Sequence, residues 1–278
     1  MGISINTNVA ATRAGMYLGT NHANLQKSLD RLSSGKRITE PADDAGGLAV
    51  SMKLENTGTI LNAVSNNIAN AVSLLQTQDG VLKSVGDIVT RMGELAAMYA
   101  DVTKNTADKA MYDSEFRDLT GQIEALRGTQ FNGIALFDNA AGLAVAMTET
   151  GTDTFTISQP AVQVDLDATT AKNITVNLQV AGATDSVSEN TQANYTTLLE
   201  TIAGFRATNG GQVRRLQYQM ANVDTQITNL TAANGRIMDV DIAAESSNLA
   251  KQQVLVQASA AMTAQANVAN DVALMLLQ

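Results

Sequence analysis

The chain has 278 residues, a net charge of −9 with a pI near 4.6, no Cys, no Trp and a single His. Disulfides and thiol chemistry are therefore excluded, and a zinc site, which needs several Cys or His ligands, is not expected. The isolated basic pairs Lys36-Arg37 and Arg214-Arg215 are too few for a surface that tracks phosphates or an anionic membrane, so no nucleic acid and no membrane partner is expected.

Residues 1–11 lack a basic start and an unbroken apolar run, so no signal peptide is read there, and no stretch approaches the roughly 18 apolar residues of a membrane span. Aromatics are only 4% of the chain, which points to a core made of aliphatic helical seams rather than large rings. The first helix carries Ile5, Val9, Thr12 and Met16, then after a phase slip Leu18, His22, Leu25, Leu29 and Leu32. His22 falls on that seam and reads as a packed residue rather than a ligand. Ser33-Ser34-Gly35 should end the helix, with Gly35 as the left-handed cap. Pro41 breaks the next segment, and Asp43 or Asp44 is placed to cap a second, short helix. Adjacent carboxylates could suggest acid–base work, but in a turn without a pocket signature they read as caps.

The clearest periodicity is Leu61, Val64, Ile68, Ala71, Leu75, Gln78, Leu82, Val85, Val89, Met92, Ala96 and Tyr99, an alternation of three and four in which only Gln78 is polar. This is a heptad seam. A flanking row, Leu74, Val81, Ile88 and Leu95, calls for a second partner helix and hence a bundle. Gly86 and Gly93 lie seven apart on the other flank, either by drift on an exposed face or to admit a neighbouring backbone. Tyr112, Phe116, Leu119, Ile123 and Leu126 mark another helix, ending near Gly128. Phe131-Asn132-Gly133 then predicts a turn, because Asn-Gly favours positive φ. From about residue 134 to 188 the pattern changes to short period-two runs, Phe155–Ile157, Val162–Leu166 and Ile174–Leu178, which predict small antiparallel hairpins, with Pro160 at an edge or turn.

Helix returns near Tyr195 with Leu198, Ile202 and Phe205. Gly210-Gly211 is expected to disturb its phase before Leu216, Met220, Val223, Ile227, Leu230, Asn234 and Ile237 resume it. Asp239 and Asp241 read as linker caps. The final segment, from about Ile242 to Gln278, is apolar on several faces. A helix apolar all round must be buried all round. Without a membrane span, that burial has to come from other copies of the chain.

At both ends the residues resemble one family. Leu29-Asp-Arg-Leu-Ser-Ser-Gly-Lys-Arg-Ile38, followed by Pro41-Ala-Asp-Asp-Ala-Gly46, is similar to the N-terminal signature of bacterial flagellins, as is Thr129-Gln-Phe-Asn-Gly133 to the turn after their second rod helix. Asn248-Leu-Ala-Lys-Gln-Gln253 and Ala264-Gln-Ala-Asn267 resemble their C-terminal signature. Departures are Asn209-Gly-Gly211 where relatives often read Leu-Gly-Ala, and Gly235 in place of a commoner Arg; both are expected to loosen the last rod helix.

The resemblance implies a mainly α fold, with a long antiparallel helical rod, a terminal coiled-coil domain and a small β-hairpin region at the far tip. Residues 1–38 and 241–278 would pair as the inner domain, 39–58 would link, and 59–240 would form the outer rod, with the β-rich part at about 134–190. Inner-domain packing falls to Ile5, Val9, Met16, Leu18, Leu25, Leu29, Leu32, Leu249, Leu255, Val256, Met262 and Leu276, and linker or capping roles to Gly35, Pro41, Asp43 and Asp44.

The function implied is that of a structural subunit exported and self-assembled into the flagellar filament for swimming, not an enzyme, with no catalytic residue, cofactor or metal. One histidine cannot build the His-Glu-x-x-His metalloprotease that some flagellins carry. The alternative is a hook–filament junction protein with similar ends. Implied partners are the chain itself, an export chaperone at the C-terminal segment, the type III flagellar export machinery, and the filament cap and hook-associated proteins, with an extracellular location. Thr90-Arg-Met-Gly-Glu-Leu-Ala96 resembles the segment that contacts a vertebrate innate immune receptor, Toll-like receptor 5, so Arg91, Glu94 and Leu95, with Glu115, are the implied contacts.

Overall fold

The computed structural model of the chain describes residues 8–137, 142–160 and 192–275. They form five helices, α1 (Val9–Ser34), α2 (Ala45–Tyr99), α3 (Thr106–Arg127), α4 (Gln192–Met238) and α5 (Ile242–Met275). Between α3 and α4 lie four short strands, β1 (Gln130–Phe131), β2 (Ile134–Ala135), β3 (Leu143–Ala146) and β4 (Thr154–Ile157). The mainly α class expected from the periodicity is the one that forms. The runs Val162–Leu166 and Ile174–Leu178 lie outside the described residues. The chain divides into two compact units, Met1–Gly58 with Thr228–Gln278, and Thr59–Ile227. Residues 228–240, assigned to the outer rod from the sequence, thus cluster with the terminal helices.

In the second unit the heptad seam of α2 is the core. Leu61, Val64, Ile68, Ala71, Leu75, Gln78, Leu82, Val85, Val89, Met92 and Ala96 are all buried, and Tyr99 is half-buried. In the flanking row Leu74 and Leu95 are buried, while Val81 and Ile88 are half-buried. Two partners cover these rows. α3 contributes Phe116, Thr120 and Ile123, and α4 contributes Tyr195, Ile202, Asn209, Leu216 and Val223, one buried residue every seven. That repeat runs straight through Gly210-Gly211. The expected phase disturbance is absent because Asn209 itself occupies the seam, and the two glycines fall on the exposed side. Nor does Gly86 admit a backbone: a Cβ there would meet only the side chain of Ile202, at an ordinary 3.7 Å.

The turn predicted at Asn132-Gly133 forms with both residues in the left-handed region, φ 52° and 79°, so Phe131 and Ile134 pair across a two-residue hairpin. Two glutamines fasten it. The buried Gln78 of α2 donates its Nε2 to the carbonyl of Leu136 at 2.8 Å, and Gln159 donates to that of Ala135 at 2.7 Å. The β3–β4 hairpin pairs Leu143 with Ile157 and rests on α4, where Gln219 donates to the Met147 carbonyl and the Arg215 guanidinium stacks 4.7 Å from the Phe155 ring centre.

Candidate assembly surface

In the first unit, α1 opens on Asn8, whose side chain accepts from Ala11 N at 3.0 Å and donates to the Ala266 carbonyl of α5 at 2.8 Å. It closes on Gly35 at φ 70°, as its cap position requires. From there residues 35–37 run beside 238–240. Arg37 N donates to the Met238 carbonyl at 2.6 Å and Val240 N to that of Gly35 at 3.0 Å. Pro41 sits second in a turn closed by Asp43 N on the Glu40 carbonyl at 3.0 Å, where its fixed φ is an advantage.

The two adjacent aspartates divide their work. Asp44 caps α2 by accepting from Gly47 N at 2.8 Å. A Cβ on Gly47 would come 2.8 Å from the Asp44 carboxyl carbon, so glycine makes room for the cap. The short helix expected after Asp44 does not end before the rod: it is the first part of the single helix α2. Asp43 caps nothing. Its side chain is only 4% exposed and pairs with Lys27, with Arg31 at 3.6 Å, and with the backbone and hydroxyl of Thr39 at 3.3 Å each. The Lys27 hydrogen bond, helped by Thr39 and by the positive charge of Lys27 and Arg31, holds this carboxyl well below the usual carboxylate range despite its desolvation. Arg31 also approaches Glu245 of α5 at 3.9 Å. One ionic cluster thus fastens the turn after α1 to α1, and α1 to α5. At α5, Asp241 caps the helix by accepting from Ala243 N and Ala244 N at 2.9 and 3.1 Å.

The seam between α1 and α5 differs from the sequence expectation. On α1 the sheltered positions include Ala11, Ala14, Leu18, Asn21, Leu25, Ser28 and Leu32, spaced three and four. On α5 they include Glu245, Asn248, Gln252, Val256, Ser259 and Ala266. Polar side chains bridge it: Asn21 Nδ2 donates to Ser259 Oγ at 2.7 Å and Asn248 Nδ2 to Ser28 Oγ at 3.3 Å. Of the residues assigned to packing, Leu18, Leu25, Leu32, Leu249 and Val256 are half-buried. Val9, Met16, Leu29, Leu255 and Met262 are instead exposed, and Ile5 and Leu276 lie outside the described residues. His22 is exposed too, not packed. Small and hydrogen-bonding residues let the two helices approach, and that choice turns the larger apolar side chains outward.

The result is a helix pair that leaves large apolar side chains bare on more than one face. Val9, Met16, Tyr17, Leu29, Ile242, Val254, Met262 and Val268 each leave between 47% and 69% of their area open. A folded chain rarely leaves so many large apolar groups bare on two neighbouring helices without a partner. Among the described residues no helix is long and apolar enough to cross a membrane, and no group of three or more His, Asp or Glu could hold a metal ion.

In the second unit, Arg91 pairs with Glu94 at 3.0 Å and with Glu115 of α3 at 2.8 Å, all three on the surface. The two carboxylates raise the Arg91 pKa further above its ordinary value, Glu115 most. Leu95, grouped with them from the sequence, is fully buried, because it belongs to the flanking row that packs the bundle. It offers no surface to a protein partner.

Two family models match the chain, the bacterial flagellin N-terminal helical region over residues 5–142 and the bacterial flagellin C-terminal helical region over 193–277. The chain is 34% identical to a flagellin of Halalkalibacterium halodurans, a match covering 99% of each chain. It is similarly close, at 33% identity over 99% of each, to the flagellar filament 33 kDa core protein of Treponema phagedenis. A flagellin of Listeria innocua is also 33% identical, over 95% of this chain and 96% of that one.

Proposed function

This chain belongs to the bacterial flagellin family, and we propose that it polymerises through the apolar side chains that α1 and α5 leave bare. It is a structural subunit of the flagellar filament, and the family is one of structural proteins. The observation that carries the proposal is that the terminal pair, whose seam mixes leucines and alanines with hydrogen-bonded polar side chains, leaves many large apolar side chains bare. Covering apolar surface contributes about 25 cal/mol for each Å² removed from water and so favours association. Removing residues 1–35 and 242–278 should yield a soluble, helical protein that does not polymerise. Long filaments from the trimmed protein, seen by electron microscopy, would refute the assignment.

The same surface supports an export route. A chain with so much bare apolar area needs a guard before assembly. The α5 segment, from Ile242 onward, is the proposed site for an export chaperone that delivers the unfolded chain to the type III flagellar machinery and so to the cell exterior, where the filament cap and hook-associated proteins are its neighbours. The check is co-purification: equal chaperone binding by a chain cut after Asp241 contradicts it. On the rod, Arg91, Glu94 and Glu115 form an exposed charged group that suits recognition by Toll-like receptor 5. A receptor reporter assay on monomer tests this reading. No signal from the wild type, or an unchanged signal from Arg91→Ala, removes it.

A further inference from the structure

The chain has no Cys and no Trp, but 11 Met, so thioethers are its most readily oxidised side chains. Their exposure is uneven. Met92 lies fully buried in the α2 seam, whereas Met16 of α1 is 69% exposed and Met262 of α5 is 65% exposed, as Met52 of α2 and Met111 of α3 are at 63% and 72%; of these four only Met16 and Met262 lie on the terminal pair's α1 and α5. Both belong to the bare apolar surface of the terminal pair. We propose that Met16 and Met262 are oxidation sites that govern assembly: a hydroperoxide converts them to sulfoxides in the free chain, and the oxidised chain no longer polymerises. This rests on the assembly surface proposed above.

The chemistry balances without a cofactor. The thioether sulfur attacks one oxygen of the hydroperoxide, the O–O bond breaks and an S–O bond forms. The leaving oxide, hydroxide from hydrogen peroxide or alkoxide from an organic hydroperoxide, takes the proton, so sulfide is oxidised by two electrons while the peroxide is reduced to water or to the alcohol. Nothing in the described fold needs to move, since both side chains already face solvent. The product is a polar, chiral group in place of a flexible apolar one. Buried at an interface without a partner, such a group costs on the order of 1–3 kcal/mol, which corresponds to about a 5- to 150-fold rise in critical concentration for each sulfoxide. Once the surface is covered in a filament, the same sulfurs should be out of reach, so assembly protects the sites that oxidation would disable.

The test has two arms. Free chain and assembled filament are treated with hydrogen peroxide, and sulfoxide at Met16, Met262 and Met92 is measured by peptide mass spectrometry. Met16 and Met262 should oxidise in the free chain and be protected in the filament, and Met92 should resist in both. Polymerisation of peroxide-treated wild type is then compared with that of treated M16L, M262L and the double variant. Treated wild type should fail, the double variant should polymerise, and each single variant should recover in part. Equal oxidation of Met16 and Met262 in both states overturns the proposal. So does normal assembly of oxidised wild type, or failure of the oxidised double variant when its untreated form assembles. Should the double variant not assemble untreated, the footprint and the single variants decide. Untreated wild type that never polymerises would instead remove the assembly surface itself.

Discussion

Gln78 is the one polar residue in an otherwise aliphatic heptad seam, and its replacement by Leu separates two roles that the position combines. Its side chain is fully buried, and its Nε2 donates to the carbonyl of Leu136, itself a buried residue. Its Oε1 has no partner among the described residues. Gln78→Leu removes one unpaired acceptor, Oε1, and creates another, the Leu136 carbonyl, each worth roughly 1–3 kcal/mol. These nearly cancel, while a buried Leu adds about 1.5–3 kcal/mol of apolar transfer. The helical unit should therefore melt at the same temperature or higher. The β1–β2 hairpin, left with Gln159 on Ala135 as its other side-chain tether, should open more easily. Losing a hydrogen bond of about 1 kcal/mol multiplies its opening by roughly fivefold. Hydrogen exchange read by mass spectrometry should show faster exchange over residues 129–137 with no change along α2. Gln78→Ala, which also leaves a cavity, should instead cost several kcal/mol, roughly 2–5 by analogy with other large-to-small core changes. Unchanged exchange in the hairpin, or a melting loss with Leu as large as with Ala, refutes the reasoning.

Asp43 is held ionised by Lys27 and Thr39, so its folded pKa lies below that of the free chain, about 3.9. Its contribution to stability is complete above about pH 4 to 5 and is lost as the pH falls through the folded value. Asp43→Asn should lower the melting temperature at pH 7, and the gap between variant and wild type should narrow progressively as the pH falls below about 4. Gly35 has φ 70° with open space where a Cβ would stand, so Gly35→Ala should cost backbone strain alone, roughly 1–2 kcal/mol, measurable by chemical denaturation. Burial pushes the Tyr195 phenol up to about 12, and its hydroxyl has no partner among the described residues. Because that pKa is raised, the associated stability is complete below about pH 10 and is lost as the pH rises toward 12. Tyr195→Phe should therefore leave stability unchanged or higher at neutral pH and soften the alkaline loss, as followed by circular dichroism against pH.

Much of this protein is legible in one dimension because its signals are local. The α2 seam repeats every three and four residues and buries as written. Asn132-Gly133 specifies a two-residue hairpin through the φ values it permits, and Gly35 stops a helix for the same reason. The family signatures at both ends are also runs of sequence. Periodicity could not decide which face of a helix meets which neighbour. α5 is apolar enough on several sides that hydropathy favours no single seam there, and the seam read on α1 slips phase after Met16. The tertiary structure selects the face with Ala11, Ala14, Ser28 and Ser259, because small side chains allow close approach and hydrogen bonds bind the seam. Met16, Leu29 and Met262 are thereby turned outward. Likewise Gly210-Gly211 passes without a break because Asn209 fills the seam position. Periodicity identifies that a face is buried; only the packed partner determines which one, since burial depends on the shape of the opposing surface and not on hydropathy alone.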